Sequence, residues 1–226
     1  MNEILERIEK LMNDKEYQER VKKVKQREEE TLKQERIYKN LDTLKKIGIN
    51  YEKWKRKGFD KKYDYQIDMV KSTKKFLDEP TKGIVLTGKT GAGKTHILTL
   101  AVIKLIFNGR NVKYFKWLEQ GSYFKSIKNE YNYQDKLDTY KYADILYIDD
   151  FLKVGKNSQP TDADISLAFE ILDCRNENNL PTMISTERSI KEVLEVDEAV
   201  GGRMLELCRI RLELKDYKNV KNHRLN

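Results

Sequence analysis

The eight-residue run Gly88-Lys89-Thr90-Gly91-Ala92-Gly93-Lys94-Thr95 constrains this chain more than any other feature. It fits G-x-x-x-x-G-K-[ST] at every fixed position, with an apolar stretch before it and helix-forming sequence, Lys94–Phe107, after it. Glycines let the backbone turn tightly, so that several N–H groups converge on one polyphosphate. The helix N-terminus adds its partial positive charge. Lys94 is expected to reach the β- and γ-phosphates of ATP, and the Thr95 hydroxyl to ligate Mg²⁺. His96, next in the chain, is read as a packing residue. A loop of this kind sits on a parallel sheet, which already excludes all-helical and all-β folds.

Such a loop needs an acidic element on another strand, and Ile145-Leu146-Tyr147-Ile148-Asp149-Asp150 supplies one. Asp149, ending the strand, is placed to hold the Mg²⁺ shell, and Asp150 to polarise an attacking water. A kinase has no use for a water-activating carboxylate, whereas an ATP hydrolase does. Pro181-Thr182-Met183-Ile184-Ser185-Thr186-Glu187 brings a third apolar strand, whose terminal hydroxyls can sense a γ-phosphate. Arg203, just after a glycine pair, can complete the active site of an adjoining subunit, because transition-state charge rewards an inserted guanidinium.

Around these motifs, helices alternate with short apolar strands. Helix is expected at 66–77, 94–107, 162–176, 189–194 and 200–207, and in a polar, aromatic stretch running to Tyr133. Strands are expected at 83–87, 112–117, 143–148, 182–186 and 209–214. Near-continuous apolar strands between helices mean a buried, mostly parallel sheet in a three-layer α/β domain.

Ahead of this domain the chain is different. Residues 1–40 lack Gly and Pro and read as helix, with Ile4, Ile8 and Leu11 on one apolar face. The following charged stretch has too little apolar surface for a core of its own. It reads either as a solvated helix or as an arm that folds onto a partner. Between Lys45 and Lys62, 8 basic residues face 2 acidic ones, interleaved with Tyr51, Trp54 and Phe59. That mixture suits base stacking on nucleic acid, or a strap with buried rings and solvated lysines. The expected divisions are a helical partner-binding extension at 1–45, a basic aromatic linker at 46–65 and the ATPase domain at 66–226.

The net charge of +8 permits a polyanionic partner. No apolar run approaches the roughly 20 residues of a membrane span, and the start lacks a signal peptide's layout. Cys174 and Cys208 are isolated and only two histidines are present, which argues against a zinc site. A cytoplasmic location is expected.

On these residues the sequence resembles the DnaC/DnaI family of AAA+ helicase loaders, phage-type members especially. The resemblance covers roughly residues 45–226. It rests on both motifs above, on Gly93-Lys94-Thr95-His96, on Leu180–Ser185, on Asp197–Arg203 and on Asn222-His223-Arg224-Leu225. It implies an AAA+ core with a DnaB-type replicative helicase and single-stranded DNA as partners, self-assembling on the helicase. It also implies a sensor at Ser185 or Thr186 and an arginine finger at Arg203. In loaders of this type the helical region after the second strand faces the DNA channel, which here nominates Tyr123, Phe124, Lys125 and Lys128. Three departures stand out: Glu187 replaces a common Asn, no cysteine precedes Cys174 to build the DnaI-type zinc module, and too few residues follow Arg203 for a C-terminal lid. An IstB-like transposition helper, built on nearly the same core, is the alternative, and a non-hydrolysing nucleotide-gated adaptor is a third reading.

Overall fold

The computed structural model describes residues 14–55, 58–155 and 158–223. The expectation for Ile4, Ile8 and Leu11 lies outside these residues. The chain divides into two compact units, Met1–Thr43 and Leu44–Asn226.

The first unit contains most of a long helix, α1 (Lys15–Lys46). Its apolar side chains are too sparse to form a stripe, and Tyr17, Val24, Leu32 and Tyr38 are all exposed. Local pairs such as Arg20 with Glu16, one turn apart, support it.

The second unit holds α2 (Tyr51–Trp54), α3 (Asp64–Asp78), β1 (Ile84–Thr87), α4 (Lys94–Phe107), β2 (Val112–Lys116), α5 (Trp117–Ser126) and α6 (Tyr133–Lys141). It continues with β3 (Ile145–Asp149), α7 (Asp162–Glu177), β4 (Thr182–Thr186), α8 (Ile190–Val196), α9 (Glu198–Leu207) and β5 (Ile210–Glu213). The strands form one parallel sheet in the order β2-β3-β4-β1-β5. Every residue of β1, β3 and β4 is buried, as a sheet covered on both faces requires. Alternate side chains enter opposite layers. Ile84, Leu86, Ile145 and Tyr147 pack with Met69, Phe76, Leu98 and Val102 on one face. Val85, Leu146 and Ile148 pack with Phe124, Leu137, Ile171 and Met204 on the other.

One arrangement corrects the sequence-based expectations, and one buried charge had no expectation attached to it. The region expected to be helical through Tyr133 ends as α5 at Ser126, and α6 was not foreseen. Arg175 also lies wholly within the core, donating to Thr182 Oγ1 and to the carbonyls of Tyr140, Lys141, Ala143 and Pro181. Burial lowers its pKa to about 9, and these acceptors are what make a buried guanidinium tolerable. The rings of Tyr51, Trp54, Phe59 and Tyr63 pack against the core, while Lys53 and Lys55 stay exposed.

Candidate nucleotide site

In a parallel sheet, ligands gather where the strands end. Strand register brings Thr87 beside Thr186 and Lys116 beside Asp149, so the phosphate-binding loop and the acidic strand open on one side. A cavity of about 510 Å³ lies there, lined by Thr90, Lys94, Thr95, Asp150 and Glu187, with Trp54 and His96 on its flank.

The loop requires its glycines. Gly91 and Gly93 have φ of 80° and 101°, and Gly93 caps the N-terminus of α4 in the left-handed conformation. Gly91 also has Asn222 directly against it, while its carbonyl accepts from the His223 N–H at 3.0 Å. His223 is in turn held by Tyr65, whose hydroxyl lies 2.7 Å from Nε2. Ala92 is buried, and Lys89 is exposed. His96 packs between the rings of Trp54 and Phe59, at centroid distances of 5.2 and 5.5 Å.

Lys94 is 5% exposed, with Nζ donating to the carbonyls of Gly88 at 2.5 Å and Lys89 at 3.0 Å. Burial lowers its pKa to about 8, against the pull of Glu187, Asp150 and Asp149. Its partners are neutral carbonyls, which a phosphate can replace.

Asp149 accepts four hydroxyl hydrogen bonds. Thr95 at 2.9 Å, Tyr147 at 2.8 Å and Ser185 at 2.5 Å donate to Oδ1, and Tyr114 at 2.8 Å donates to Oδ2. The two tyrosine rings stack at 5.0 Å, and burial raises the pKa of both phenols, keeping them as donors. Thr95 and Asp149 thus present hard oxygens side by side, a donor pair that fits Mg²⁺. Asp150 takes a left-handed φ of 55°, its N–H donating to Ser185 Oγ at 3.2 Å and its carboxylate pairing with Lys153 at 3.1 Å.

The hydroxyls ending β4 do not act alike. Ser185 reaches Asp149, but Thr186 donates to the Phe151 carbonyl at 2.8 Å inside the core, which withdraws it from γ-phosphate sensing. Glu187 faces the loop instead and accepts from the Thr90 hydroxyl. Tyr114, Tyr147 and Lys153 were not foreseen. Tyr147 was within reach of a period-two count back from Asp149, whereas Tyr114 becomes visible only through its register opposite Tyr147.

Arg203 lies elsewhere. It lines a cavity of about 780 Å³ with Gly83, Leu180 and Arg209, where strands begin, and pairs with Asp173 at 2.6 Å and Glu206 at 2.8 Å. It is not among the residues lining the phosphate-loop cavity of its own chain.

The four DNA candidates separate as well. Tyr123 and Lys128 are exposed, and Lys136 sits over the Tyr123 ring at 5.5 Å. Lys125 is tied at 2.6 Å to Asp164, whose side chain is 3% exposed. Phe124 is 2% exposed and packs among Phe115, Tyr133 and Tyr140, so it has no face left for a base. Among the described residues no helix is long and apolar enough to cross a membrane.

Comparison with known proteins places this geometry. The family described as IstB-like ATP binding protein matches residues 4–206. Two proteins of Bacillus subtilis (strain 168) are each 34% identical. Uncharacterized protein YqaM aligns over 65% of this chain and 47% of its own length, and phage-like element PBSX protein XkdC over 73% and 60%. The chain therefore spans about half to three fifths of the curated relatives it matches. The solved DnaI structure has a TM-score of 0.60 at 20% identity, covering 78% of this chain and 95% of that one. The DnaC helicase loader gives 0.55 at 21%, covering 69% and 92%. AMPPCP-bound DnaA from Aquifex aeolicus gives 0.56 at 17%, covering 70% and 51%. At these identities the structures establish the fold alone, a P-loop domain on a parallel sheet like those of DnaI, the DnaC helicase loader and DnaA.

Proposed function

The chain belongs to the IstB-like ATP-binding protein family, and from that premise we propose that it is an ATPase that delivers a DnaB-type replicative helicase to single-stranded DNA. The carrying observation is the meeting of Thr95 and Asp149 at 2.9 Å, beside the buried Lys94 and one residue from Asp150. Lys94 exchanges its carbonyl partners for the β- and γ-phosphate oxygens of ATP. Thr95 and Asp149 hold Mg²⁺, which when bound neutralises charge on the phosphates. Ser185 and the two tyrosines fix the orientation of Asp149. Asp150 accepts the proton of the attacking water, and Arg203 reaches the nucleotide of an adjoining subunit.

Support for a loader comes from the likeness to DnaI and the DnaC helicase loader and from the relative XkdC of a phage-like element. In this reading residues 1–45 engage the helicase through Ile4, Ile8 and Leu11, residues 46–65 join them to the ATPase domain, and Tyr123 and Lys128 contact DNA. The protein works in the cytoplasm of a bacterium or of its phage-infected form. The family description favours one second reading, a transposition helper.

Size-exclusion chromatography with ATP separates them. Co-migration with a hexameric replicative helicase, lost in Ile8→Asp, is the loader result. Co-migration with a cognate transposase and not with the helicase overturns it. For Arg203, mixing Arg203→Ala with Asp150→Asn restores part of the ATPase activity through hybrid interfaces. Absence of rescue in a verified mixed assembly contradicts action in trans.

A further inference from the structure

Beside the phosphate loop, Asp150 of the acidic motif and Thr90 of the glycine motif are joined by two side chains that belong to neither, Lys153 and Glu187. Lys153 Nζ lies 2.7 Å from Glu187 Oε1 and 3.1 Å from Asp150 Oδ2. Thr90, inside the loop, donates its hydroxyl to the same Glu187 oxygen. Lys153, Asp150 and Glu187 are each only partly exposed, at 26%, 30% and 33% of their side chains. Burial works against ionisation of Glu187, yet the hydrogen bonds from Lys153 and Thr90 prevail and hold its carboxyl below the ordinary range. Glu187 is therefore an anion at neutral pH.

A carboxylate lining a triphosphate cavity repels its ligand unless a cation stands with it. Lys153 is that cation: it does not itself line the cavity, but it is bonded to two residues that do, Asp150 and Glu187, and its charge is felt at Lys94. The two lysines are held differently. Lys94 is bonded to the loop's own carbonyls, where the β-phosphate of any nucleotide arrives, whereas Lys153 sits farther along, between Asp150 and Glu187. Its two partners are anions on separate strand ends, so it can give up one and keep the other.

We propose that Lys153 reads the γ-phosphate, moving from its bridge between Asp150 and Glu187 onto a γ-oxygen when ATP is bound and remaining bridged with ADP. Glu187 acts as the tether that keeps the ammonium within reach, and transfer of Lys153 releases Asp150 for the attacking water. The role expected of a hydroxyl at the end of β4 thus falls to a lysine from the loop after β3. The proposal rests on reading the cavity as a nucleotide site.

Calorimetric titrations of the full chain with ADP and with AMPPCP, both in Mg²⁺ buffer, test it. In Lys153→Gln, AMPPCP affinity falls about tenfold or more, the scale of one charge-assisted hydrogen bond, while ADP affinity holds within about twofold. Lys153→Arg keeps the wild-type ratio, because the cation is retained. An unchanged AMPPCP-to-ADP ratio in Lys153→Gln, or equal weakening of both nucleotides, overturns the proposal. Wild-type protein that binds neither nucleotide contradicts the site reading itself, a result distinct from a change in ratio.

Discussion

Lys94 and Lys125 show two uses of a cation in one fold. Lys94, 5% exposed, is held by neutral carbonyls, so an anionic ligand can take it without leaving any charge behind. Lys125 is held by Asp164, and drawing it away would strand a carboxylate that is 3% exposed. Asp164 is further committed, since it accepts from the N–H and hydroxyl of Thr161 at the start of α7. A lysine held by dipoles can therefore go to a ligand without stranding a charge, whereas one held by a carboxylate as buried as Asp164 is structural; Lys153, between two partly exposed carboxylates, lies between these cases. The same contrast separates rings on neighbouring residues: Tyr123 is exposed, whereas Phe124 fills the core.

The largest effect that sharpens this contrast is at Phe124. Phe124→Ala should cost about 3–5 kcal/mol of unfolding free energy, read by urea denaturation, because it empties a packed aromatic cluster. Tyr123→Ala should change stability by about 0.5 kcal/mol or less. Equal losses would erase the distinction between the two faces of α5.

Next in size is the acidic pair. Asp150→Asn should slow phosphate release by about 100-fold or more while leaving ATP binding intact. Wild-type turnover in this variant would remove Asp150 from water activation.

The lysines themselves differ by less, but in opposite directions. Lys125→Ala should destabilise by about 1–2 kcal/mol, a value reduced by its partial exposure. Lys94→Ala should leave stability unchanged or raise it, since burial disfavours the charge there. The pH dependence follows with opposite signs. Asp164, its pKa lowered despite burial by Lys125 and Thr161, contributes stability at neutral pH that is lost as acid protonates it. The unfolded chain keeps the Lys94 proton to higher pH than the folded chain, whose value is about 8, so stability rises with pH above that point. Nucleotide affinity, which needs the ammonium, falls over the same range by up to about tenfold per pH unit. Flat affinity across it would show that the charge of Lys94 is not used.

The smallest effect concerns DNA. Lys128→Ala should reduce the salt slope of single-strand binding by about one contact, and Lys125→Ala should leave it unchanged. The reverse result would mean that Asp164 releases its lysine after all.

Much of the nucleotide end could be read from sequence because it depends on local backbone. A glycine loop between strand and helix leaves few conformations, and α4 and β4 occupy the expected residues, 94–107 and 182–186. What escaped depends on contacts between distant segments. Tyr114 meets Asp149 only through the pairing of β2 with β3. Thr186 and Ser185 look equivalent as hydroxyls, and their alternation along β4 sends one to Phe151 and the other to Asp149. Arg175 is one charge among many in the sequence, and the carbonyls that hold it come from separate segments, at 140–143 and at Pro181. In α5, Tyr123, Phe124 and Lys125 are consecutive, so composition does not say which of them faces inward, and Phe124 was grouped with Tyr123.

The central claim is that residues 88–95, with Asp149 and Asp150, form a working nucleotide site. Equilibrium titration of ATP in Mg²⁺ buffer into wild type and Lys94→Ala, with folding of both checked by thermal melting, tests it most directly. Saturable one-site binding to the wild type is expected, weakened at least about tenfold in a variant that melts no lower. Equal binding by both proteins would contradict it.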